Sequence, residues 1–211
     1  MDTLIGIKGK DYILLAADCY EQYSIIRTNF YDHGKILKVD NDKLILLAGP
    51  SGDREQFGEY IRKNIHFQRF KNSYPTSIGA TANFARQELA YFLRESPYQV
   101  DMLIAGFEQD TPKLYWIDYL ASSMEVCKAV HGYGGNFVRG LVDKYYTCDI
   151  TKEQAIELMK KIRDELRFRF LVSQSNFVVK LIDKDGIADI KLFPPQEVKH
   201  EIFREKIDTF P

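Results

Sequence analysis

Cysteine is scarce in this sequence. The 211 residues hold three, Cys19, Cys127 and Cys148, widely spaced and with no CxxC pair. An odd, scattered set argues against a disulfide framework or a zinc site and for a reducing compartment. The four histidines, His33, His66, His131 and His200, are equally dispersed, with no HExxH and no ligand spacing. They read as surface or satisfied side chains, so no metal and no cofactor is expected. Charge of one sign is lacking too: 29 basic and 30 acidic residues leave a formal charge of -1. The longest basic cluster, RFRF at 167–170, is short and mixed with aromatics. No nucleic-acid partner is expected. No apolar run reaches the ~20 residues of a membrane-spanning helix, so no membrane partner is expected either. The opening has no basic stretch leading into an apolar one, which argues against a secretory signal, and no long leader stands ahead of the first strand.

What is present is apolar and aromatic. Residues of the apolar set make up 45% of the chain, including 13 Tyr and 14 Phe. That is enough for a sizeable core in one domain. TLIGIKG (3–9) and DYILLAAD (11–18) are short apolar runs around a Gly-Lys-Asp turn, which predicts a hairpin. Further strands follow, with a polar VDND turn at 39–42 and the apolar LILLAG after it. The period then changes. Asp53, led in by Ser51 and Gly52, is a candidate helix cap, and Phe57, Tyr60, Ile61 and Ile65 fall at helical spacing. NSYPT breaks that helix near 72–76. Thr76 or Ser77 starts a second, ending at Ser96-Pro97, with Ala80, Phe84, Leu89 and Phe92 as inward positions.

Three β-rich runs come next, at 99–107, 112–120 and 123–132. GNFVRGLVDKYY predicts a third helix. A fourth starts at the Thr151 cap and carries the stripe Ala155, Leu158, Met159, Ile162 and Leu166. A hairpin around Asp185-Gly186 closes the ordered pattern. The order is strands, two helices, strands, two helices, strands. It predicts an α+β fold, a four-layer αββα sandwich of two antiparallel sheets between two helix layers. Residues 1–193 read as a single domain. Residues 194–211 read as a polar C-terminal tail with spaced aromatics, which either frays or lies on a neighbour. HGYGGN, which opens the third helix, lacks both the GxxxxGK[ST] and the full GxGxxG pattern, so it reads as a tight strand-to-helix turn rather than a phosphate cradle.

Five landmarks in this order resemble the β-type subunits of the proteasome, within the N-terminal nucleophile hydrolases. They are TLIGIKGKDYILLAAD, LLAGPSGDREQF, YQVDMLIAGF…LYWIDYL, HGYGGNFVRGLVDKYY and KLIDKDGI. The likeness runs through residue 193. RQELAYFLRESPYQVDMLIAGF together with the MDTLIG start is most similar to the β4 type. The resemblance implies the same αββα fold. It also implies partners: the other α and β subunits of a 28-subunit particle of four seven-membered rings, with a regulatory cap acting indirectly. It implies a place in the cytoplasm and nucleus, in ubiquitin- and ATP-dependent protein degradation.

In active members a threonine hydroxyl attacks the peptide carbonyl, and that threonine's own free α-amine takes the proton. Thr3 is preceded by Met1 and Asp2, with no glycine in front of it, so its nitrogen is an amide. Aligning IGIKGKDYILLAAD with the family pattern sets Asp2, not Thr3, at the nucleophile position. Thr3 then reads as a β-branched strand residue. Asp18 falls at the acid that pairs with the family's lysine. Lys35 falls at that lysine if one residue is inserted before it. Gly49 falls at the oxyanion-hole glycine. These three read as a vestigial site that now holds strands and a turn. Tyr133 stands where active members carry a serine, and Arg169 stands near their aspartate, in RFRFLVSQSN, which lacks their Gly pair. No catalytic residue is therefore expected, and the chain reads as a non-catalytic structural β subunit. Two alternatives remain: an active threonine hydrolase, after an unusual cleavage that exposes Thr3, and a free-standing binding or storage protein of the same fold.

Overall fold

A computed structural model describes residues 2–23, 26–29, 34–171, 174 and 176–193. The tail at 194–211, and His33 and His200, lie outside the described residues.

The opening hairpin is β1 (Thr3–Lys8) and β2 (Tyr12–Asp18), paired antiparallel from Leu4 opposite Ala17 to Lys8 opposite Ile13. A small hairpin, β3 (Tyr20–Tyr23) with β4 (Ile26–Asn29), stands apart from the main sheets. β5 (Ile36–Asp40) and β6 (Lys43–Ala48) follow, then α1 (Ser51–Asn72) and α2 (Ile78–Phe92). β7 (Asp101–Glu108), β8 (Thr111–Ile117), β9 (Ser123–Glu125) and β10 (Lys128–Gly132) lead to α3 (Gly135–Tyr145) and α4 (Lys152–Arg169). β11 (Phe177–Asp183) and β12 (Gly186–Ile190) complete the order.

Two five-stranded antiparallel sheets result, in the orders β10-β1-β2-β11-β12 and β5-β6-β7-β8-β9. Successive strand side chains face opposite ways, so each sheet needs two covers. Leu4, Ile13, Leu15 and Ala17 of the first sheet meet Leu44, Leu46, Leu103 and Leu114 of the second. Ile5, Ile7, Leu14 and Ala16 point the other way, into Val138, Leu158, Met159, Ile162 and Leu166 of α3 and α4. Ile45, Leu47, Met102 and Ile104 do the same beneath α1 and α2, against Phe57, Ile61, Ala82, Ala85 and Leu89. This is the αββα sandwich. It also explains why ILLAA in β2 is apolar without alternation: both faces are buried.

Local readings differ in three places. The cap of α1 is Pro50, and Asp53 lies inside the first turn, where its carboxylate favours the helix dipole and accepts the Gln99 N–H at 3.1 Å. In α2, capped by Ser77, the buried residues are Ile78, Thr81, Ala82, Ala85 and Leu89; Ala80 is exposed, and Phe84 and Phe92 are only half-buried. The run 123–132 is two strands in different sheets. Val126 N–H donates to Leu114 O at 2.9 Å in one sheet, and the next residue, Cys127, accepts from Lys8 N–H at 2.9 Å in the other. The chain crosses between the sheets with one bend, at Cys127, and no Gly or Pro there marks the step in the sequence. The stripe of α4 and its Thr151 cap, a full capping box with Gln154, match the reading from sequence.

Candidate functional site

The head of β1 fixes the site. Leu4 faces the inter-sheet core, so the period of two sends Asp2 to that same side. Thr3, with Ile5 and Ile7, is sent toward the α3–α4 layer. Thr3 is fully buried and its hydroxyl donates to Gln174 Oε1. Gly134 makes room for it: a Cβ there would fall 2.1 Å from Thr3 Oγ1. The Thr3 amide N–H donates to Asp18 Oδ1 at 2.7 Å.

On the other side, three groups from separate parts of the chain converge on the Asp2 carboxylate. Oδ1 is 2.7 Å from Lys35 Nζ, in the segment entering β5. Oδ2 accepts the Gly49 N–H at 2.7 Å, from the turn between β6 and α1, and meets Arg54 Nη1 of α1 at 3.3 Å. Lys35 Nζ also donates to Asp18 Oδ2 at 2.7 Å and to Tyr20 O at 2.6 Å. Arg54 Nη2 reaches Glu21 Oε1 of β3 at 2.6 Å. Gly49 has φ +138, and a Cβ would lie 2.1 Å from Gln99 O, so only glycine fits that turn.

The structure thus brings Asp2, Asp18, Lys35 and Gly49 together. Burial raises the Asp2 carboxyl, but Lys35, then Arg54, with the Gly49 N–H, outweigh burial and hold it below the usual carboxylate value. Burial pushes Asp18 the other way, above the usual value, with the Asp2 charge adding to the rise against the pull of Lys35. The cluster is a charge network with each carboxylate oxygen of Asp2 paired. Among the described residues, the hydrogen-bond partners of Lys35 Nζ are carboxylates and a carbonyl, none of them a hydroxyl or thiol.

Reading the sequence missed Arg54, Glu21 and Gln174. Arg54 is only 3% exposed; an arginine in the first turn of a helix, four residues after its Pro50 cap, carries no sign of burial. Arg169 lies elsewhere, on the exposed last turn of α4 and paired with Glu165 at 2.5 Å, and Tyr133 faces solvent. His131 is buried and stacked on Trp116 at 4.9 Å; its Nδ1 lies 3.6 Å from Asp101 Oδ2, and among the described residues its Nε2 has no hydrogen-bond partner. Among the described residues no group of three His, Cys, Asp or Glu could hold a metal ion, and no helix is long and apolar enough to cross a membrane.

The proteasome subunit family model matches residues 1–182. Rice "Proteasome subunit beta type-2" is 42% identical over 190 residues, covering 90% of this chain and 89% of the relative. The Dictyostelium discoideum protein of the same name is 40% identical over 200 residues, covering 93% of this chain and 100% of its own length. Saccharomyces cerevisiae "Proteasome subunit beta type-4" is 35% identical over 207 residues, covering 93% and 100%.

Proposed function

We propose, from the premise that this chain belongs to the proteasome subunit family as a β-type member, that it is a non-catalytic structural subunit of the 20S core particle, at the β4 position. It assembles with other α and β subunits into a 28-subunit particle of four seven-membered rings. There it completes the wall of the chamber that degrades ubiquitin-tagged proteins, in cytoplasm and nucleus, with a regulatory cap acting through the particle. The β4 position is supported by the run 86–107, and four relatives named beta type-4 match along most of the chain, beside relatives named beta type-2.

One observation carries the non-catalytic reading. The group that faces Lys35 Nζ and the Gly49 N–H is the Asp2 carboxylate, while Thr3 faces the opposite layer with its nitrogen in a peptide bond. A carboxylate at that place offers neither the hydroxyl nor the free amine that threonine proteolysis uses. To act, Thr3 would have to lose Asp2, break its bonds to Asp18 and Gln174, and turn its side chain over.

The test is covalent. Particles containing this chain are treated with a peptide electrophile that reacts with an N-terminal threonine, and every subunit is weighed by mass spectrometry. The reading expects adducts on other β chains and none on this one. An adduct on Thr3 would restore the active-hydrolase alternative. Recovery of a tagged chain alone, without other subunits, would support the free-standing alternative instead.

A further inference from the structure

We infer that Asp2 is the resident ligand of a carboxylate-binding site built from Lys35, Gly49 and Arg54, and that a free small monocarboxylate takes the same place when the Asp2 side chain is absent. This rests on the non-catalytic reading. The three donors come from separate elements and aim at one point. Lys35 Nζ meets one oxygen at 2.7 Å; the Gly49 N–H and Arg54 Nη1 meet the other at 2.7 and 3.3 Å. Two cations and a backbone N–H on a planar anion make a charge-assisted set.

The donors do not depend on Asp2 for their positions. Lys35 is tethered by Asp18 Oδ2 and Tyr20 O. Arg54 is held from its far side by Glu21 Oε1 at 2.6 Å. Gly49 is fixed by its φ of +138 and by close packing on Gln99 O. A site whose walls are held by other bonds stays formed when its occupant leaves, and preorganised donors bind at lower cost. The Asp2 side chain is 10% exposed, so its removal opens a small polar recess near the surface rather than a sealed apolar void. In the intact chain the recess is filled from within, which closes it to peptide carbonyls and to free acids.

The experiment uses the full-length chain with Asp2→Ala, thermal unfolding as the readout, and sodium acetate against sodium chloride at equal ionic strength. We expect Asp2→Ala to melt below the intact chain and acetate to raise its melting temperature saturably. The rise is about 4 °C at roughly ten times the acetate dissociation constant. The intact chain and Asp2→Asn, whose amide still fills the recess, gain nothing from acetate over chloride. Adding Arg54→Ala to Asp2→Ala weakens acetate binding by about tenfold, read from the line broadening of carbon-13 acetate.

Absence of an acetate-specific effect on Asp2→Ala, folded or not, overturns the inference. So does an equal effect on Asp2→Asn or on the intact chain, which would put the anion elsewhere. Neither outcome touches the covalent labelling result, so failure here and failure of the non-catalytic reading are told apart.

Discussion

Replacing Lys35 by methionine removes the cation that two carboxylates share. The Lys35 side chain is 5% exposed and that of Asp18 is fully buried. Asp2 retains Arg54 and the Gly49 N–H. Asp18 keeps the N–H groups of Thr3 and Tyr20, at 2.7 and 3.2 Å, but loses its cation. Breaking a buried pair from one side costs about 3–5 kcal/mol. At roughly 2–4 °C per kcal/mol for a chain of this size, the melting temperature falls by about 10 °C.

The deficit depends on pH. Burial already raises the Asp18 carboxyl, and without Lys35 it rises further. A carboxyl raised in the folded state favours folding below its unfolded value of about 3.9, and that advantage is lost as pH climbs through the folded value. The Lys35→Met deficit is therefore full at pH 8 and shrinks toward pH 5. Adding Asp18→Asn, which removes the stranded charge, recovers at least half of the loss at pH 8. Thermal unfolding by circular dichroism across pH 5–8 reads all of this. A melting temperature within about 2 °C of the unsubstituted chain, the size of a surface pair's effect, would mean that Lys35 does not hold the buried charges. So would a deficit that does not change with pH.

Asp2 has the opposite sign. Its carboxyl is lowered, so its contribution is present above the unfolded value and is lost as pH falls through the folded one. The melting gap between the unsubstituted chain and Asp2→Asn is therefore steady from pH 7 to pH 5 and closes below about pH 4. Gly49→Ala pushes a Cβ to within 2.1 Å of Gln99 O at a φ of +138, and chemical denaturation is expected to read a loss of about 2 kcal/mol or more. Thr151→Ala removes the capping box of α4 and costs about 1 kcal/mol by the same assay. Thr3→Val keeps the strand residue without its hydroxyl; assembled particles carrying it are expected to cleave peptides at unchanged rates, and a selective loss of one cleavage specificity would contradict the account.

The layers of the fold were legible because each rests on a periodicity. The switch from period two to helical spacing after Ala48, and back at Asp101, marks where helices cover sheets. The Ala155–Leu166 stripe and the Asp185-Gly186 turn are local patterns that tertiary packing left alone. The β9–β10 passage was not legible, because Val126 and Cys127 bond to different sheets across a single bend at Cys127 that no Gly or Pro marks. At the site, Asp2, Asp18, Lys35 and Gly49 were found through a resemblance along β1, β2, the segment entering β5 and the turn after β6. Arg54 and Glu21 were not, since their pairing joins a helix to a separate hairpin across 33 positions. Such a pair has no spacing rule. Only the burial of a negative charge at Asp2, seen in three dimensions, creates the demand that Arg54 meets.

The central claim is that the working chain keeps Asp2 in front of Thr3, with the Asp2 carboxylate on Lys35 and Gly49. The most direct test is the intact mass of this chain taken from the assembled particle. The account predicts a mass that includes Asp2, with or without Met1 or an acetyl group. A mass that begins at Thr3 would give that residue a free amine, and Asp18, Lys35 and Gly49 would have to be read as a working site.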